Sequence, residues 1–204
     1  ERWQSKVSRL IEYLKKRKIN NLFISAPENV AWLLNIRGYD NPNSPIPNCK
    51  LILQKTGKIH LIADEKKLEK IKKIKTYKKL KFIKKENFYK LLLKLEGEKF
   101  QIDESTCSVL EENLIKNNFK VTKTLDPIYK LKSIKNSVEI NNTKNIHIDD
   151  GVAVTKFLYW IKYKNKKKIT EMGAEKKLEK FRKKSSKYLY PSLSLIHISE
   201  PTRR

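Results

Sequence analysis

The sequence predicts an α/β domain followed by the opening of a second, helical module. Three observations carry that reading. Short apolar runs bounded by turn residues alternate with stretches of helical periodicity over the first 126 residues or so. An Asp126-Pro127 step then marks a change of pattern. Beyond it the periodicity is helical only, with no further strand signal.

In chain order, Val7, Leu10, Ile11 and Leu14 fall at helical spacing and predict a helix over residues 6–18, ended by Asn20-Asn21. Residues 22–25 read as a short buried strand. Pro27 opens a helix that ends near Leu34, in keeping with the tolerance for proline in a first helical turn. Residues 35–48 form a long loop with Gly38, Pro42, Pro45 and Pro47. Residues 51–53 and 58–62 read as strands joined by a Lys55-Thr56-Gly57 turn. Leu68, Ile71 and Ile74 suit one helix edge, and Phe88, Leu91, Leu92 and Leu95 another. Residues 99–102 read as a strand, 106–116 as a helix and 119–122 as a strand. A long helix is predicted over residues 137–164, with Ile146, Ala153, Phe157 and Trp160 on one face. Thr170 is the expected N-cap of a last helix reaching about Lys184, with Glu171 in its first turn.

Composition limits the function classes. The longest apolar runs are far too short to span a bilayer, so no membrane role is expected and a cytoplasmic location is the default. Cys49 and Cys107 are distant from each other and match neither a disulfide framework nor a zinc motif. His60, His147 and His197 are equally scattered. His147 and Asp150 lie three apart on a predicted helix, but two groups make a poor metal site.

The net charge of +25 raises a second possibility, a small basic nucleic-acid-binding protein. Residues 66–94, where lysines interleave with Tyr77, Phe82, Phe88 and Tyr89, are its best candidate surface. Against it, only 7 of the 47 basic residues are arginine, the side chain that grips phosphate in bidentate geometry. Lysine-rich solvated faces account for the charge equally well, and they still predict non-specific polyanion binding that salt weakens.

Three segments in order carry a resemblance. "APENVAWLLNIRGYDNPNSPIPNCKLIL" (residues 26–53) combines an aliphatic-Trp-Leu helix, Ile-Arg-Gly-x-Asp and a proline-rich loop. "KSIKNSVEINNTKNIHIDDGVAVTKFLYWI" (residues 132–161) has a Lys-Asn-x-x-Glu entry and a His-x-x-Asp-Gly step. "ITEMGAEKKLEKFRKK" (residues 169–184) has a Thr-Glu-x-x-Ala start and a Phe-Arg end. Together they resemble the long-form Xaa-Pro aminopeptidases of the creatinase, or pita-bread, family.

That resemblance implies a creatinase-type mixed-sheet domain over residues 1–131, the second domain of the long form. Residues 132–192 would be the first helices of an incomplete pita-bread metallopeptidase domain. It also implies a full-length enzyme, expected to be a homodimer, that releases the residue preceding proline from proline-containing peptides. Two divalent metals, manganese or zinc, would do that chemistry. The family's metal ligands lie downstream of the Thr-Glu helix, so no metal and no catalytic residue are expected in this chain, and it is expected to be inactive alone. Arg37 and Asp40 are the candidates for lining the substrate cleft or positioning the loop, with an Arg37–Asp40 ion pair inside the loop as the simplest role. Trp32 and Trp160 are expected in cores. The sequence starts at Glu1 rather than Met, which suggests a start inside a longer protein, and residues 193–204 look like a translated sequencing adaptor, so His197 is not a site residue.

Overall fold

The computed structural model describes residues 1–165 and 168–191, in two compact units that divide after Ile134. The expected adaptor-like tail, residues 193–204, lies outside the described residues.

The first unit is built on six strands: β1 (Asn21–Ile24), β2 (Lys50–Gln54), β3 (Ile59–Ala63), β4 (Lys81–Lys84), β5 (Lys99–Ile102) and β6 (Lys120–Lys123). Their order in the sheet is β4-β3-β2-β1-β5-β6. Only β2 runs antiparallel to its neighbours, so the sheet is mixed, as the resemblance implies. Six helices complete the unit: α1 (Trp3–Arg17), α2 (Pro27–Leu34), α3 (Glu65–Lys72), α4 (Phe88–Leu92), α5 (Val109–Lys116) and α6 (Pro127–Ser133).

The two-residue alternation of the strands sorts the core into two layers. Leu22, Ile24, Leu51, Leu53 and Leu61 face one side, where they meet Leu10 and Leu14 of α1, Leu33 and Leu34 of α2, Leu68 of α3 and Ile128 of α6. Phe23, Ile52, Ile62, Phe100 and Ile102 face the other, against Phe88, Leu91 and Leu92 of α4 and Ile115 of α5. Phe23, Phe100, Leu10 and Leu14 are fully enclosed, each worth about 2–3 kcal/mol of apolar burial. The β2–β3 hairpin closes through Gly57, whose φ of 88° is open to glycine at no steric cost.

Three departures from the sequence reading have physical causes. β4 is absent from it because Lys-Phe-Ile-Lys, an edge strand half covered on both faces, lacks a polar–apolar alternation. α5 starts at Val109 rather than 106, because Asp103 folds residues 103–106 into a turn and Ser108 supplies a capping box with Glu111. Trp32 is half-buried rather than in the core, with the Lys6 ammonium 4.1 Å from its ring centre.

The second unit holds α7 (Ser137–Tyr159), which runs into a π-helical turn over Trp160–Lys164, and α8 (Glu171–Arg182). Asn136 caps α7 in a box with Glu139, and the Thr170 hydroxyl accepts from the Gly173 N–H at 3.1 Å, the cap expected for α8. Trp160 is half-buried and stacks on Phe157, with ring centres 6.2 Å apart, rather than lying in a closed core.

Candidate functional site

The mixed sheet brings the carboxyl ends of β1, β5 and β6 to one edge, the usual position of functional loops in such sheets. Two structures meet the eye there: a pinched proline-rich loop and a buried polar network.

The loop, residues 35–49, leaves α2 through Asn35, whose φ of 56° turns the chain out of the helix. Gly38 donates its N–H to the Pro45 carbonyl at 3.1 Å, and a Cβ at Gly38 would sit 2.7 Å from Pro47. Only glycine fits that crossing. Arg37 and Asp40 do not pair with each other among the described residues, so the expected ion pair inside the loop is not formed. Arg37 instead turns back and donates Nη1 to the Ile36 carbonyl at 2.8 Å, where the end of α2 leaves acceptors. Asp40 reaches across the loop, with Oδ2 accepting from the Asn48 N–H at 2.6 Å and from Lys67 Nζ of α3 at 2.9 Å. Burial opposes ionisation of Asp40, but Lys67 and the Asn48 amide outweigh it and hold the carboxyl below its ordinary range. Asp40 thus fastens the loop to α3. Tyr39 at the tip is exposed, and Arg37 keeps its guanidinium at the surface.

The second feature is a chain of buried polar groups. Asp103, directly after β5, accepts from the Ser105 N–H and hydroxyl through Oδ1 and from the Asp126 N–H through Oδ2 at 2.9 Å. Asp126 caps α6 by accepting from the Ile128 N–H, and its other oxygen accepts from Asn29 Nδ2 of α2 at 2.8 Å. Asn29 Oδ1 in turn accepts from Lys132 Nζ at 2.6 Å. Beside them Ser25 and Thr106 share a hydroxyl hydrogen bond at 2.7 Å. Burial pushes the Asp126 carboxyl up to about 6, against the two hydrogen bonds that favour its charge. Asp103 is also buried, yet its Ser105 and Asp126 donors hold it below the ordinary range. Sequence reading missed this network. Its one visible signal is an Asn inside an apolar helix together with an Asp directly after each of two strand-and-turn segments.

Neither feature has the parts of a hydrolytic centre. Among the described residues no group of three or more His, Cys, Asp or Glu side chains could hold a metal ion. His147 and Asp150 do not form a site, since Asp150 takes two hydrogen bonds from Arg182 of α8, at 2.6 and 3.2 Å. Cys49 and Cys107 are both free thiols, pushed up to about 12 and about 11, mainly by burial, and are therefore poor nucleophiles.

Comparison with known proteins fits this geometry. A family model described as the creatinase/prolidase N-terminal domain matches residues 1–139. Xaa-Pro aminopeptidase 1 of Dictyostelium discoideum is 29% identical over 198 residues, covering 94% of this chain and 31% of that protein. The crystal structure of X-prolyl aminopeptidase from Caenorhabditis elegans, described as a cytosolic enzyme with a di-nuclear active site, superposes with a TM-score of 0.82. It is 25% identical, and the match covers 95% of this chain and 33% of that one. A Xaa-Pro dipeptidase from Bacillus anthracis shares the fold, with a TM-score of 0.68 at 16% identity, over 89% of this chain and 49% of its own. This chain spans about a third of the length of the curated relatives it matches.

Proposed function

Because the chain belongs to the creatinase/prolidase N-terminal domain family, we propose that it is the non-catalytic α/β part, with the first helices of the catalytic part, of a Xaa-Pro aminopeptidase. The observation that carries this reading is the near-complete coverage of the chain, at a TM-score of 0.82, by a third of an X-prolyl aminopeptidase. The whole protein would release the residue ahead of proline from proline-containing peptides. Its divalent metals, manganese or zinc, would be held by residues beyond those described here. Homodimer formation and a cytoplasmic location belong to the same reading; no helix among the described residues is long and apolar enough to cross a membrane.

Within that protein the loop of residues 35–49 would be the contribution of this domain to the substrate cleft. The Asp40–Lys67 ion pair holds it in place. Arg37, anchored by its bond to the Ile36 carbonyl but open at the surface, would be the side chain presented to a peptide or to the catalytic domain. No observation favours the nucleic-acid alternative.

Two experiments test the reading. The purified chain, given manganese, zinc or cobalt, is expected to release nothing from a Xaa-Pro-Pro peptide; release that a chelator abolishes would overturn its inactivity. Residues 1–190 exchanged for the matching third of the Dictyostelium enzyme should give an active chimera, in which Arg37→Ala raises KM. A folded but inactive chimera would count against the assignment.

A further inference from the structure

The sheet ends at β4, and no described strand pairs with its outer side. Alternate residues of an edge strand turn their N–H and C=O groups outward without a partner. The side chains of β4 are left half finished in the same way. Phe82 packs against the core layer on the α3 side and Ile83 against the layer on the α4 side, and each is only half covered. A groove of about 470 Å³ follows this edge, walled by Leu68 and Lys72 of α3 on one face and, on the other, by Lys90 and Leu91 of α4 and Lys94 just beyond it.

Charge selects what could fill it. Lys81 and Lys84 bracket the apolar pair on β4 itself. Glu65 is the one acidic residue lining the groove, and Lys84 already neutralises it at 2.5 Å. Lys72, Lys90 and Lys94 make no ion pair among the described residues. A second copy of this edge would set lysine against lysine, which is how natural proteins keep edge strands from pairing with themselves. An acidic strand meets the opposite situation: attraction from three unpaired ammonium groups, a free row of backbone partners, and cover for Phe82 and Ile83.

We propose that the β4 edge is a docking site for an extended acidic peptide segment, which adds to the sheet as a seventh strand. Its preferred pattern mirrors Lys81-Phe82-Ile83-Lys84: carboxylates flanking a central pair of β-branched residues. Backbone hydrogen bonds along β4 supply the affinity, Phe82 and Ile83 the apolar register, and Lys72, Lys90 and Lys94 the selectivity for carboxylates.

The test uses the 204-residue chain and a fluorescein-labelled peptide with glutamates flanking a Val-Ile pair, followed by anisotropy at physiological salt. Saturable binding is expected. It should weaken by about tenfold or more when the peptide carries lysines in place of its glutamates, and equally when alternate backbone amides are N-methylated with the charge unchanged. Lys90→Glu combined with Lys94→Glu should produce the same loss. Lys15→Glu combined with Lys18→Glu, on α1 and its cap, should not, although it changes the net charge equally. Undiminished binding of the N-methylated peptide, or an equal loss from both double variants, would reduce the effect to non-specific attraction by a basic surface and overturn the proposal. So would a concentration-dependent dimer of the chain that Lys90→Glu and Lys94→Glu disperse, since the edge would then belong to a second copy.

Discussion

Asn29 and Asp126, 97 positions apart in sequence, are joined by a buried hydrogen bond of 2.8 Å that holds the start of α6 against α2. Asn29 is fully buried and Asp126 nearly so, and Lys132 approaches the other side of the same amide. One asparagine therefore serves a carboxylate and an ammonium at once, through the two ends of its side chain. α6 is the last element of the first unit, and this bond, with the buried Ile128 and the Tyr129–Glu28 hydrogen bond, holds it against α2.

Asn29→Ala removes a donor to Asp126 and an acceptor for Lys132 and opens a small void. A loss of about 1–3 kcal/mol in unfolding free energy is expected, with faster amide exchange in α6 than in β1 or β5. Asn29→Asp should cost at least as much, because it sets a second carboxyl against Asp126. Denaturant unfolding of the two variants checks this, and a change within error for both would show that the amide carries no load.

Two buried groups give the fold opposing responses to pH. His60 is held down to about 4, first by burial and then by Lys81 and Lys58, whereas an exposed histidine titrates near 6.5. The unfolded chain then binds the extra proton, so this contribution to stability is complete above pH 6.5 and is lost as pH falls toward 4. Asp126 is raised to about 6 by burial, above its unfolded value of about 3.9, so the folded state holds its proton longer. That contribution is complete below about pH 4 and is lost as pH rises through 6. The two slopes oppose each other between pH 4 and 6. His60→Gln should leave stability rising on acidification across that window, and Asp126→Asn should leave it falling. Parallel pH profiles for the wild type and both variants would sink this account.

The proline-rich loop gives a third expectation. Asp40 is exposed enough that its Lys67 ion pair adds only about 0–1 kcal/mol to global stability. Its effect is local, since it also takes the Asn48 N–H and so holds the far end of the loop. Asp40→Ala should leave the unfolding midpoint nearly unchanged while chymotrypsin cuts faster after the exposed Tyr39. Gly38→Ala should lower the midpoint as well as speed cleavage, because its Cβ would meet Pro47 and must push the loop apart. Unaltered cleavage in the Asp40 variant would mean that the loop is held by its prolines alone.

The legible and illegible parts of this molecule separate by the range of the interactions involved. The pattern of Val7, Leu10 and Leu14 is a local periodicity, and α1 lies where it predicts. Thr170 acts within three residues of itself, so its cap could be read directly. β4 could not, because Lys81-Phe82-Ile83-Lys84 becomes a strand through its parallel pairing with β3, some twenty residues earlier. Asp40 could be singled out within the loop from the sequence, but its partner could not. Arg37 is close in sequence, yet Lys67 reaches it because α3 folds beneath the loop. The Asn29–Asp126–Lys132 chain is of the same kind, since an Asn inside an apolar helix hints at a buried partner but not at which one until the fold brings α2 and α6 together.

The last expectation concerns the unequal cores of the two units. Leu10, Leu14, Phe23 and Phe100 are enclosed in the first, whereas Ala153 is the one buried apolar residue among those described in the second. α7 turns Phe157 and Trp160 toward one side, but Val138, Ile148, Tyr159 and Tyr163 along another side remain more than half exposed. The pairing of α7 with α8 includes the Asp150–Arg182 ion pair, whose partners are about two-fifths exposed and so contribute at most about 1 kcal/mol. Most of a helix's stability in a protein comes from packing its apolar face, which these two helices do only in part. Local opening should therefore cost far less in α7 and α8 than in the sheet, and hydrogen exchange reads that difference directly. Amides of β1, β2 and β5 are expected to exchange orders of magnitude more slowly than those in the middle of α7, and Arg182→Ala should speed exchange in α8 without touching the sheet. Equal protection of the sheet and of α7 in the purified chain would show that the helical unit is stable by itself, and that its exposed apolar side needs no further partner.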